Sequence, residues 1–269
     1  MTDVPSHTIE LDEQPVFFLR AGDDDVPVLY LHGVPTSADD WLPFLREGGG
    51  IAVDLPGFGR SGKRGDGDFT VDGWATWLPR FLDAIGVDRV RLCAHDWGAA
   101  GLLWAARQPG RVTRVAVLNG APLAGGLQLP RHARMLAVPG LGEFGVGLAT
   151  PWVLRRRLRR GIAEGAEPDR AWFDDIGARF DQGTQRAVLR LFRAATDEAR
   201  EAAGQELRTL DVPALVVHGG RDPWLPARTA QAYAALLPQS ELLELPAAGH
   251  WPWLEDPALV GRVLEFLRT

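Results

Sequence analysis

One cysteine, two tyrosines and two methionines among 269 residues leave this chain without the reagents for several chemistries. A lone Cys93 excludes an internal disulfide and any cysteine-based metal site, and its place in an apolar run reads as a buried structural thiol. No stretch approaches ~18 consecutive apolar residues, so no membrane-spanning helix is expected. Positive charge is not in surplus either. The net charge is −6 and the pI near 5.5, which gives no electrostatic reason to bind nucleic acid or an anionic membrane. The densest basic run, RRRLRR from Arg155 to Arg160, reads as a solvated helix face. The opening segment MTDVPSHTIELDEQ has neither the basic start nor the apolar core of a secretory signal, and a cytoplasmic location is expected. No metal-binding or nucleotide-binding motif is present, so neither metal nor cofactor is expected.

What remains is an ordinary globular composition, 46% apolar and 24% charged. Short apolar runs alternate with amphipathic stretches. VPVLYLHG, GIAVDLPG, RVRLCAHD, RVAVLNGAP, PALVVHGG and ELLELP read as strands, several of them continuous enough to be buried on both faces. HTIEL and VFFLR open the chain as an antiparallel ribbon at one edge. Helices are expected over Val71–Ile85, Trp97–Gln108, Ala227–Leu237 and Pro257–Leu267, and this alternation predicts a mainly parallel α/β sheet covered on both faces. Between residues 124 and 208 the alternation stops. Helical patterns near Arg131–Ala137, Pro151–Ile162, Glu167–Phe180 and Thr184–Glu206 follow one another, predicting a helical cap (124–208) inserted in a core formed by 1–123 and 209–269. Such an insertion belongs over the carboxyl ends of the strands, where open α/β sheets bind ligands.

Four strands end in chemically suggestive residues. HGVPTS follows the first, and RLCAHDWGAAG carries Asp96 at a sharp strand-to-helix turn. Arg221-Asp222-Pro223 follows PALVVHGG, and AAGHWPW places His250 after the last strand. With DLPGFGRSGK, RDPWLP and GHWPWLEDP, these segments resemble the α/β-hydrolase fold from end to end. Within it they resemble the aspartate-nucleophile branch of haloalkane dehalogenases and epoxide hydrolases. In the family's G-x-S-x-G elbow, Ala94 here replaces the first glycine and Asp96 the serine. The resemblance implies an eight-stranded, mostly parallel sheet with a helical cap, and a triad in the order Asp96, Asp222, His250.

A carboxylate at that turn selects the reaction. Attack on a carbonyl would give an anhydride, with little advantage for ester cleavage. Against a saturated carbon bearing a leaving group, a desolvated carboxylate is a competent in-line nucleophile, and the product is an alkyl ester on Asp96. Water must then attack the Asp96 carbonyl, with His250 as general base oriented by Asp222. The backbone N–H groups of Val34 and Trp97 would form the oxyanion hole. His32 reads as support for its loop, and His95 faces either the fold or the site. Asn119 cannot ionise, which leaves Asp222 as the acid.

The leaving group divides the branch. Haloalkane dehalogenases are similar to one another in placing a tryptophan after the nucleophile, here Trp97. Some add a second from the cap, for which Trp152 and Trp172 are the candidates. Others use an asparagine after His-Gly, where this chain has Val34. Epoxide hydrolases of this fold supply the proton from cap tyrosines, and the predicted cap has none; His132 or a cap arginine would have to substitute. Fluoroacetate-type enzymes need arginines beside the nucleophile, and DWGAAG offers none. The expectation is therefore a cofactor-free, haloalkane-dehalogenase-like hydrolase acting on a small apolar organic substrate and water. An epoxide hydrolase with an atypical proton donor is the alternative, and a non-catalytic ligand-binding homologue is the third reading. Residues 131–148, rich in small side chains, are expected to line the pocket.

Overall fold

The computed structural model describes residues 4–123 and 127–269, apart from the side chain of His132. Its strands are β1 (Ser6–Leu11), β2 (Gln14–Ala21), β3 (Val28–Leu31), β4 (Gly50–Val53), β5 (Val90–Asp96), β6 (Val112–Gly120), β7 (Ala214–Gly219) and β8 (Ser240–Leu245). They form one eight-stranded sheet in the order β1-β2-β4-β3-β5-β6-β7-β8. β2 runs antiparallel to β1 and β4, and all other neighbours are parallel. The ribbon expected at the edge from HTIEL and VFFLR is β1 with β2.

β3, β4 and β7 are buried throughout, which explains their uninterrupted apolar sequences. Because side chains alternate across a strand, successive residues of β3 and β5 enter opposite layers. Leu29, Leu31, Leu92 and Ala94 pack with Trp74, Leu78 and Leu103, whereas Val28, Tyr30 and Cys93 pack with Trp41, Phe44 and Trp253.

The helices are α1 (Leu42–Gly48), α2 (Val71–Ala84), α3 (Ala100–Arg107), α4 (Arg131–Ala137), α5 (Leu141–Gly147), α6 (Pro151–Leu158), α7 (Arg170–Arg179), α8 (Gln182–Ala194), α9 (Asp197–Leu207), α10 (Ala227–Leu236), α11 (Pro252–Glu255) and α12 (Ala258–Arg268). Six of them, α4 to α9, lie between β6 and β7. The proposed start of the cap at Ala124 falls outside the described residues. The single helix expected over Thr184–Glu206 is two, because Thr196 accepts a hydrogen bond from the Ala199 N–H and starts α9 anew. Thr150, Asp169 and Asp181 begin α6, α7 and α8 in the same way. α1 and α5, each seven residues long, are not among the helices expected from the sequence.

Polar ties fasten the inserted helices to the sheet layers. Lys63 pairs with Asp181 at 2.8 Å, and Arg179 pairs with Asp39 at 3.2 Å. Among the described residues, no helix is long and apolar enough to cross a membrane.

Candidate active site

Asp96 ends β5 with φ +47° and ψ −123°, and a 3-10 turn over Trp97–Ala99 leads directly into α3. A side chain held in that sparsely populated region projects from the tip of the turn. The small residue two places on has a steric cause. A Cβ at Gly98 would lie 2.3 Å from the Leu31 carbonyl oxygen and 2.8 Å from that of His32, both backbone atoms of the adjacent strand and its loop. Gly98→Ala is therefore expected to destabilise the protein by ~3 kcal/mol or more, because backbone cannot yield as a side chain can. A denaturation midpoint unchanged by that substitution would contradict the close approach.

Parallel pairing brings the ends of β3, β5, β6, β7 and β8 to one edge, and four polar side chains meet there. One carboxylate oxygen of Asp96 accepts the Val34 backbone N–H at 3.1 Å. His250 Nδ1 lies 2.6 Å from Asp222 Oδ2, and the other oxygen of Asp222 accepts the backbone N–H groups of Trp224 and Leu225 at 2.8 and 3.1 Å. Asn119, at φ +41°, donates its amide N–H to Asp222 at 2.7 Å while its own oxygen accepts the Gly219 N–H. The asparagine set aside as unable to ionise is thus the partner that orients the acid.

These surroundings drive the two carboxyls apart. Burial raises Asp96 from 3.8 to about 6, against the opposing pull of His250 and of the N–H groups of Val34 and Trp97. Asp222 is also buried, but His250, Asn119 and the Trp224 N–H overcome that cost and hold it at about 2. Burial lowers the His250 pKa, yet the Asp222 carboxylate outweighs it and leaves the imidazole above its usual value. Two environments therefore give one carboxylate poised near neutrality and one permanently charged.

His32 and His95 support the loops around the site. His32 accepts the Leu55 N–H at 2.9 Å through Nε2 and bonds the Gly33 carbonyl through Nδ1. His95 is fully buried, and its Nε2 contacts the His250 carbonyl at 2.9 Å, bracing the loop of the base. Asp54, in the motif DLPGFGRSGK, accepts the Ala38 N–H and pairs with Arg60, joining the loops after β3 and β4. The side chain of His132 lies outside the described residues.

A cavity of about 220 Å³ opens above Asp96 and His250. Val34, Trp97, Trp224 and Trp251 form its sheet side, and Leu136, Gly145, Val146, Leu154 and Phe192 come from the inserted helices. Trp97 packs edge-on against Phe192 of α8 at 5.4 Å. The structure puts neither Trp152 nor Trp172 in this wall. Trp152 is 68% exposed. Trp172 donates its ring N–H to Asp40 at 2.8 Å and packs behind Trp251. Trp224 and Trp251 were missed, although each neighbours a residue singled out from the sequence. The Trp251 ring N–H is buried with no acceptor among the described residues. Arg157 and Arg160 also line the cavity, so the run RRRLRR is not wholly a solvated face.

A family model described as the alpha/beta hydrolase fold matches residues 26–257. The chain belongs to the α/β-hydrolase fold family. The dihydrolipoyllysine-residue acetyltransferase component of the acetoin cleaving system of Pseudomonas putida is 30% identical over 266 residues, covering 94% of this chain and 66% of that protein. The chain thus spans just under two thirds of that relative's length. A haloalkane dehalogenase of Mesorhizobium japonicum is 29% identical over 277 residues, covering 95% of this chain and 88% of its own. The crystal structure of haloalkane dehalogenase DbeA from Bradyrhizobium elkani aligns with a TM-score of 0.81 at 24% identity, covering 99% of this chain and 98% of that one. That last likeness speaks for the fold. The chain is thus an α/β-fold hydrolase that is similar to a haloalkane dehalogenase over nearly its full length.

Beneath the site of this α/β-hydrolase, Asp40 is buried with one oxygen on the Trp172 N–H and the other lacking any donor among the described residues. Burial raises its pKa from 3.8 to about 7, against the opposing pull of neighbouring Thr36 and of the Trp172 hydrogen bond. A carboxyl with the higher pKa in the folded chain binds its proton more tightly there. Stability is therefore lost as pH rises from the unfolded value through the folded one, by up to about 4 kcal/mol once both states are ionised. Asp40→Asn keeps an acceptor for Trp172 and is expected to raise the thermal midpoint by several degrees at pH 8 but not at pH 4. An equal gain at both pH values would assign the effect to packing instead of ionisation.

Proposed function

We propose that this protein is a cofactor-free hydrolase that displaces a leaving group from a saturated carbon through an alkyl ester on Asp96, as a haloalkane dehalogenase does. The observation that carries this reading is the Asp96 carboxylate itself, buried at the elbow, held by the Val34 N–H and sharing one cavity with His250 of the His250–Asp222 pair.

The same donors serve both steps. In the first, one Asp96 oxygen attacks carbon, the bond to the leaving group breaks, and the halide departs with its electron pair. Trp97, in the cavity wall, is the first candidate donor to the halide, and Trp251 is the second in place of the two cap tryptophans. In the second, the ester carbonyl oxygen occupies the position where a carboxylate oxygen now accepts the Val34 N–H. Water loses a proton to His250 and adds to that carbonyl, and the N–H groups hold the developing oxyanion. Collapse releases the alcohol and restores Asp96. Asp222, ionised at about 2, stabilises the imidazolium throughout.

For the epoxide alternative, neither tyrosine is placed to act as the proton donor. The Tyr30 hydroxyl is bonded to the Gly49 carbonyl and that of Tyr233 to the Ala121 carbonyl, so both tyrosines serve the core.

Isotope labelling tests the mechanism. A single turnover of a bromoalkane in H2-18O is expected to release unlabelled alcohol and to leave the label in Asp96, because the alcohol oxygen originates from the carboxylate. Label appearing in the first alcohol formed would show direct attack by water and overturn the ester intermediate.

A further inference from the structure

Two positive charges stand in a wall that displacement from a neutral alkane does not call for. Around Asp96 and His250 the cavity is lined by apolar side chains except for Arg157 and Arg160. Both belong to α6 and the 3-10 turn that extends it over Arg159–Gly161. Leu154, Arg157, Leu158 and Arg160 turn toward the cavity at helical spacing. The remaining arginines of the run are engaged outside it. Arg155 lies 3.9 Å from Asp174, Arg159 lies 3.6 Å from Glu167, and Arg156 sits over the ring of exposed Trp152. Among the described residues, no carboxylate pairs with Arg157 or Arg160. Arg160 also borders the outer groove beside Trp152, which places it at the rim, while Arg157 is half-buried.

This segment is fixed relative to the catalytic base. The Gly161 carbonyl accepts the His250 backbone N–H at 2.6 Å. A Cβ at Gly161 would lie 2.6 Å from the Trp224 ring and 2.7 Å from that of Trp251. Glu255 completes the clamp, accepting the Ala163 N–H at 2.8 Å and the Gly249 N–H at 2.7 Å. The backbone that carries the two arginines is therefore docked against the loop of His250.

A guanidinium drawn part-way out of water without a counter-charge is unfavourable, and an anion that completes it forms charge-assisted, often paired, hydrogen bonds. Asp96 would repel an anionic substrate, and two cations in the same cavity offset that repulsion. We propose that the substrate carries a carboxylate, bound by Arg157 with Arg160 at the rim. A short apolar chain then presents the reacting carbon to Asp96. The inference rests on the displacement reading for the reaction it serves. The anion handle comes from the cap, so the absence of arginine from DWGAAG does not count against it.

Binding can be measured without turnover. Calorimetric titration with butanoate and hexanoate, against 1-butanol and 1-hexanol, is expected to show the carboxylates binding at least about tenfold more tightly. Arg157→Gln should abolish that preference, Arg157→Lys should restore part of it, and Arg156→Gln on the outer face should leave it intact. Equal affinity for alkanoate and alcohol, or a preference that survives Arg157→Gln, would overturn the proposal. So would bromide binding that depends on Arg157 when alkanoates do not bind, since the arginine would then serve the departing halide. Exposing His250→Gln to 1-bromohexane and 6-bromohexanoate separates the two readings. Alkanoate preference with no adduct on Asp96 from either compound leaves the anion site standing and removes the displacement reaction. An adduct from 1-bromohexane without any alkanoate preference does the reverse.

Discussion

His250→Gln is expected to stop after one alkylation. Mixed with a bromoalkane, the variant should release one halide per protein molecule and gain the mass of the bare alkyl group on Asp96. Ester hydrolysis should then slow by ~10²–10⁴-fold, the usual contribution of a positioned base. The proposed mechanism requires this separation. His250 touches Asp222 and faces the second step, whereas the first needs only the carboxylate and a leaving-group donor. The pH dependence carries a sign that checks the assignment. Asp96 must be ionised to attack, so alkylation should rise with pH through its pKa, about 6 in the intact protein. His250 helps to keep that value down, so its removal should move the midpoint higher. In the intact enzyme the hydrolytic step needs neutral His250, whose pKa is raised, and turnover should fall as pH drops through it. A variant that releases halide repeatedly at the unaltered rate would remove His250 from the mechanism, and a hydroxyalkyl adduct from an epoxide would reassign the leaving group.

The positions of Asp96, Asp222 and His250 were legible because each follows an apolar run, and parallel strands put such residues on one edge whatever their separation in sequence. Asn119 sits at the same edge by the same rule, and only its inability to ionise hid its role. The cap was read less well. Trp152 and Trp172 were chosen for lying in the insertion, but a helix without its neighbours does not declare which face it buries. The acceptor that claims the Trp172 N–H is 132 residues away in sequence. For Trp224 and Trp251 a local signal existed: they stand within two residues of Asp222 and His250 respectively, in RDPWLP and GHWPW. The arginines carried a signal too. Arg157 and Arg160 stand three residues beyond Leu154 and Arg157 respectively, on the stripe that Leu154 and Leu158 mark as inward. Five arginines in six residues obscured that stripe, since charge density suggests solvent before periodicity is consulted.

Asp96→Asn should be nearly inactive and more stable at once. The amide has the shape of the carboxylate and can still accept the Val34 N–H, but it is a poor nucleophile toward carbon. Halide release is expected to fall by about 10⁴-fold or more, with no adduct on residue 96. The folded protein meanwhile loses a costly charge. Raising Asp96 from 3.8 to about 6 corresponds to about 3 kcal/mol against the folded state, present above the folded pKa and absent below the unfolded one. The thermal midpoint of Asp96→Asn should therefore exceed that of the parent by several degrees at pH 8 and match it near pH 3.5. These two readouts discriminate among the functional readings. A scaffold that merely binds ligands has no reason to keep an ionisable group where burial opposes its charge, and would show the stability gain with ligand affinity unchanged. A hydrolase acting through this carboxylate must show the gain and the loss of turnover together, because the desolvation that destabilises Asp96 is what makes it reactive.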